Sequence, residues 1–180
     1  MSETYVALLR GINVGGKNKL PMKDLVDMFG VAGCRDVRSY IQSGNVIFKA
    51  DPDLSATVAG AVTAQIAERF GYRVPVIVRT AVQIGAVLRD NPFIAEGAAL
   101  DALHVLFLAD QPTAPALDRL DLGRSSPDAF KVLGREVYLH LPNGAGQTKL
   151  TNAYFDAKLA TTSTGRNWRT VTTLFNLMGS

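Results

Sequence analysis

Three stretches of the sequence concentrate residue types that hold anions. The first is Leu8-Leu9-Arg10-Gly11-Ile12-Asn13-Val14-Gly15-Gly16-Lys17-Asn18, where an apolar run gives way to glycines, amides and positive charge. Adjacent glycines let backbone N–H groups turn onto a ligand, and lysines beside them favour an anionic one. Gly11 to Lys17 has the spacing of a phosphate-binding G-x-x-x-x-G-K loop. Asn18 stands where that loop needs a hydroxyl for magnesium, and the following helix is expected only at Pro21, so ATP hydrolysis is disfavoured. The second stretch is Arg166-Asn167-Trp168-Arg169, expected in the first turn of a final helix. Cations there oppose the helix dipole at about 0.3–1 kcal/mol each, which makes sense if they meet an anion or a buried ion-pair partner. The third is Asn143-Gly144-Ala145-Gly146-Gln147-Thr148-Lys149, a second glycine-rich loop ending in lysine.

The ligand-binding candidates are therefore Arg10, Asn13, Gly15, Gly16, Lys17, Asn18, Gln42, Lys149, Arg166, Asn167 and Arg169. Catalytic sets are weak. His104 and His140 each stand alone in an apolar run, and Cys34 lies in a helix-end loop where thiols are usually inert. One cysteine and no paired-histidine spacing give no metal site, and neither a catalytic residue nor a cofactor is assigned.

The elements that must position these residues follow from periodicity. Thr4 to Ile12 reads as a strand covered on both faces. Met22, Leu25, Val26 and Phe29 recur at helical spacing after Pro21. Val37 to Gln42 and Val46 to Phe48 form a hairpin about Ser43-Gly44-Asn45. Leu54, Val58, Val62, Ile66 and Phe70 mark a long helix ended by Gly71, and Val74 to Arg79 is a strand. That order is the ferredoxin-like or split βαβ arrangement. The second half offers a helix after Thr80, a strand over 102–109, a short helix over 115–122, a hairpin over 129–141 and a helix over 151–159. Thr161 to Gly165 reads as a polar linker, so this half is βαββα without a closing strand. The expected fold is α+β and two-lobed, with subdomains at 1–80 and 81–180 sharing one core and the ligand between the lobes.

Composition narrows the class. The formal net charge is +3, with ten Lys/Arg against five Asp/Glu in residues 1–50 plus 151–180, so basic character gathers at the chain ends. The single cysteine, the lack of a basic-then-apolar leader and the absence of a long apolar run fit a cytoplasmic protein with no membrane partner. An RNA-recognition module shares the strand order of 4–79, but Gly44-Asn45-Val46-Ile47-Phe48-Lys49 holds one aromatic and lacks the stacking signature.

Leu8 to Asn18, Tyr40-Ile41-Gln42-Ser43-Gly44-Asn45-Val46, Asn91-Pro92-Phe93, Tyr138-Leu139-His140-Leu141-Pro142 and Arg166-Asn167-Trp168-Arg169-Thr170-Val171 together resemble the bacterial family called domain of unknown function 1697. The resemblance spans essentially the whole chain. It implies a small α+β protein of two subdomains and supplies no activity. Three readings of function stand: a protein binding a small phosphorylated or carboxylated ligand, a nonspecific nucleic-acid module, and a structural or partner-binding protein in which the polar residues knit the lobes together.

Overall fold

The computed structural model describes residues 1–180. Contacts divide the chain into one unit of residues 1–85 with 173–180, and a second of residues 86–172. The chain's last eight residues group with the first unit.

In the first unit the elements run β1 (Glu3–Leu9), α1 (Met22–Val31), β2 (Arg35–Tyr40), β3 (Asn45–Ala50), α2 (Pro52–Phe70) and β4 (Val76–Thr80). The strands make one antiparallel sheet in the order β2-β3-β1-β4. Alternation along β1 sends Tyr5, Ala7 and Leu9 to the face covered by α1 and α2, where they join Phe29, Phe48, Val58, Val62 and Ile66. Burying such side chains contributes about 1.5–3 kcal/mol each, which holds the two helices on the sheet. The apolar stripe expected for α2 is observed, with Leu54 and Phe70 only partly buried at its ends.

Helix α3 (Ala81–Asp90), the short α4 (Pro92–Ala95) and a 3-10 turn (Leu100–Ala102) lead to the second sheet. It comprises β5 (Leu103–Leu108), β6 (Ala129–Leu133), β7 (Glu136–His140) and β8 (Ser163–Asn167), with α5 (Ala114–Leu117) and α6 (Asn152–Leu159) on one face. Its order, β6-β7-β5-β8, repeats that of the first sheet. Helix α7 (Trp168–Met178) ends the chain.

The repeat reaches individual residues although the two halves show no close sequence repeat. Val6 of β1 lies between Ile47 and Arg79, and Val105 of β5 lies between Tyr138 and Arg166. Both arginines are buried, and each donates an Nη1–H to the carbonyl before it, Arg79 to Val78 at 3.1 Å and Arg166 to Gly165 at 2.7 Å. Each is followed by a helix cap. Thr80 Oγ1 accepts from Gln83 N–H at 3.1 Å, and Asn167 Oδ1 accepts from Thr170 N–H at 2.8 Å.

Strand β8 corrects the sequence reading, which ends the second half at α6 and begins the last helix at Arg166. Ser163-Thr164-Gly165-Arg166-Asn167 lacks the apolar run that signals a strand. Ser163 is held from α6 instead: its Oγ donates to Asp156 at 2.7 Å and accepts from Asn152 at 2.9 Å. Gly165 faces Leu106, and a Cβ there would sit 2.8 Å from Leu106 Cδ2, so a side chain at this position would require Leu106 to shift.

Gly44 closes the β2–β3 hairpin with φ +85°, and an added Cβ would lie 2.8 Å from Leu9 Cβ and 2.9 Å from Ile12 Cδ1. Gly44→Ala is expected to cost at least about 2 kcal/mol by urea unfolding, from clash and strain together. Gly60→Ala, in open space within α2, should stabilise by about 0.5–1 kcal/mol. Equal effects at the two positions would contradict this description of the hairpin.

Candidate functional site

The glycine-rich loop after β1 folds on itself. Val14 and Lys17 form an isolated bridge, Lys17 N–H donates to Val14 O at 3.0 Å, and Asn13 N–H donates to Asn18 O at 3.2 Å. Gly15 and Gly16 lie at φ +58° and +74°, as a two-residue hairpin turn requires. No atom approaches within 4 Å of where their Cβ atoms would be. The two glycines supply the positive φ that the turn needs.

Both asparagine side chains of the loop are hydrogen-bonded to backbone groups. Asn13 donates to Leu20 O and Gln42 O, both at 2.9 Å, and accepts from Leu20 N–H at 2.8 Å. Asn18 donates to Gly11 O at 2.9 Å. One side chain therefore ties the loop to the start of α1 and to the β2–β3 turn, which explains why two of the sequence motifs belong together. Lys17 and Gln42 are exposed, while Arg10 is half-buried with its N–H on Pro75 O.

The structure places Arg166 and Asn167 in β8, so the dipole argument applies to Arg169 alone, which is exposed in the first turn of α7. Arg166 is buried, and desolvation pushes its pKa down to about 10, leaving it charged at pH 7. Its Nη1 also reaches Thr164 Oγ1 at 2.8 Å. Alternation along β8 sends Arg166 to the face of Val105, opposite to His104 and Asn167.

Lys149 lies elsewhere in the second unit, in a cleft of about 450 Å³ between the loops 123–128 and 143–149. The loops are fastened together. Ser125 Oγ accepts from Lys149 N–H at 3.0 Å and donates to Asp128 at 2.9 Å. Arg124 donates from Nε to Lys149 O at 2.9 Å, and its guanidinium carbon lies 4.0 Å from the centre of the Tyr154 ring. Tyr154 is itself fixed by accepting from Asp121 N–H at 2.8 Å. No ion pair joins Arg124 or Lys149 to a carboxylate. Sequence reasoning finds Lys149 from its loop but misses Arg124, Ser125 and Tyr154, whose separations follow no local period.

A second cavity, of about 360 Å³, lies over the helix-covered face of the second sheet and is lined by His104, Leu106, Leu139, Leu141, Leu150 and Asn167 among others. No group of three or more His, Cys, Asp or Glu is placed to hold a metal ion. No helix is long and apolar enough to cross a membrane.

Burial lowers the His104 pKa from its ordinary 6.5. The folded protein therefore resists the proton that the unfolded chain accepts. His104 costs no stability above pH 6.5, and stability is lost as pH falls from there toward the folded value. Urea unfolding at pH 7.5 and pH 5 should show a larger acid loss for wild type than for His104→Gln. Identical losses would mean that His104 titrates alike in both states.

The whole chain is similar in fold to a conserved bacterial protein of Streptococcus pneumoniae, at 21% identity, 99% coverage of both chains and a TM-score of 0.71. No curated protein matches the chain. Residues 2–138 match the family described as protein of unknown function DUF1697, and the chain belongs to that family.

Proposed function

We propose that the protein binds a small phosphorylated or carboxylated ligand in the cleft between the 123–128 and 143–149 loops, on Arg124 and Lys149. The observation that carries this reading is the way Arg124 is held. Its Nε is engaged by Lys149 O and its plane rests on Tyr154, while no carboxylate neutralises it. A guanidinium fixed in this way keeps its two Nη groups for a bidentate pair with a carboxylate or phosphate. Little side-chain freedom is then lost on binding. Lys149 adds a second positive charge, and Ser126, Asn143 and Gln147 add neutral hydrogen-bonding groups to the lining. Asp128 lies in the same cleft and opposes an anion, although its charge is partly satisfied by Ser125. The reading moves the site from the N-terminal loop, where the Asn13 and Asn18 side-chain amides are bonded to backbone groups, to the second unit.

The test is a thermal-shift series with phosphate, pyrophosphate, succinate and a short oligothymidylate on wild type, Lys149→Ala, Arg124→Lys and Lys17→Ala. A ligand at a hundred times its Kd stabilises by about 2.7 kcal/mol, on the order of 5–10 °C for a chain of this size. Sulfate serves as the control for salts that stabilise without a site. The expected result is a shift with one of the small anions that Lys149→Ala and Arg124→Lys abolish and Lys17→Ala keeps. A shift lost in Lys17→Ala and kept in the other two would overturn the assignment. A shift with the oligonucleotide alone, falling steeply with salt, would favour a nucleic-acid partner.

A further inference from the structure

The cleft that holds Arg124 and Lys149 also contains a carboxylate, and a plain anion leaves that carboxylate unexplained. Asp128 lies four residues after Arg124 and lines the same space of about 450 Å³, a volume within the range of small-molecule sites. Its loop fixes it in place. Asp128 N–H donates to Ser125 O at 2.8 Å, and Asp128 Oδ2 accepts from Ser125 Oγ at 2.9 Å. Ser125 Oγ in turn accepts from Lys149 N–H at 3.0 Å, so one hydroxyl bridges this carboxylate and the Lys149 backbone. No protein group donates to Asp128 Oδ1. Asp128 forms no ion pair with Arg124 or Lys149, whose Nη and Nζ atoms have no hydrogen-bond partner in the protein. The cleft therefore presents two cations and one anion that are held near one another without being paired.

Resting on the anion site proposed above, we infer that its ligand is a small zwitterion, with a phosphate or carboxylate on Arg124 and Lys149 and an ammonium group on Asp128 Oδ1. An ammonium group carries donors and no acceptor, which suits a carboxylate oxygen that nothing else engages. Bonds between two charged partners are stronger than neutral ones, so a hydroxyl in the same place gains less. The two charged ends of the ligand are a few bonds apart, because a single hydroxyl, that of Ser125, bridges the two sides of the cleft. The arrangement also selects by repulsion, since an anion without the ammonium group meets the Asp128 charge unpaired.

Phosphoethanolamine and ethyl phosphate are one pair of probes, and β-alanine and propionate the other. The members of each pair differ by the ammonium group, and the two pairs separate a phosphate from a carboxylate. Calorimetric titration of the full chain gives the Kd of each probe for wild type, Asp128→Asn and Lys149→Ala. Wild type is expected to bind the zwitterion of one pair roughly tenfold more tightly than its plain anion. Asp128→Asn keeps an oxygen to accept from Ser125, and it should erase that preference by weakening the zwitterion while tightening the plain anion. Lys149→Ala should weaken both members. Should Asp128→Asn fail to fold, wild type still decides: the Asp128 carboxylate carbon must shift at saturation with the zwitterion and far less with the plain anion. Equal binding of the two members to wild type, a preference that Asp128→Asn keeps, or equal weakening of both members by Asp128→Asn would each overturn the inference and leave the anion site standing. Binding of none of the four probes would overturn both.

Discussion

Strands β1 and β5 are hydrogen-bonded on both edges and buried on both faces, and the rest of the molecule conforms to that. Val6, Ala7, Leu8 and Leu9 of β1 have no exposed surface, nor do Val105, Phe107 and Leu108 of β5. A strand in that position takes apolar residues throughout, because a polar side chain would lose water on either side. Chemistry is thereby displaced to strand ends and loops. Arg10 follows β1, His104 lies near the start of β5, and Arg124 and Lys149 lie in loops of the second unit.

The same constraint explains why the two halves match in architecture while differing in sequence. What repeats is strand order, a buried arginine beside the central valine, its bond to the preceding carbonyl, and a cap that turns the last strand into a helix. Burying a guanidinium costs several kcal/mol unless its hydrogen bonds are supplied, so a repeated buried arginine with the same first bond points to one shared solution. The loops, outside the core, differ. The first half spends its polar loop residues on holding itself together, with Asn13 satisfying three backbone groups. The second half leaves Arg124 and Lys149 without a carboxylate partner.

Most elements were legible because periodicity and turn residues agree: the β2–β3 hairpin about Gly44, the buried stripe of α2, and the β6–β7 hairpin at Gly134. Strand β8 was not, since its residues look like a linker until Asp156 and Asn152 supply their partners. The glycine-rich loop was legible as a loop, and its spacing suggested phosphate. Spacing cannot distinguish glycines that admit a ligand from glycines that admit a positive φ, and Gly15 and Gly16 both have a positive φ. Arg124 carried no signal at all. Its significance rests on Tyr154 beneath it and Lys149 O beside it, contacts that only the folded chain makes.

The most direct test is nuclear magnetic resonance of the arginine side chains and backbone amides during a pyrophosphate titration. Engagement of the fixed guanidinium predicts saturable shifts of the Arg124 side-chain nitrogens together with the amides of residues 143–149, while residues 11–18 stay in place. Shifts confined to residues 11–18, or none in either segment, would contradict the assignment of the anion site to the second unit.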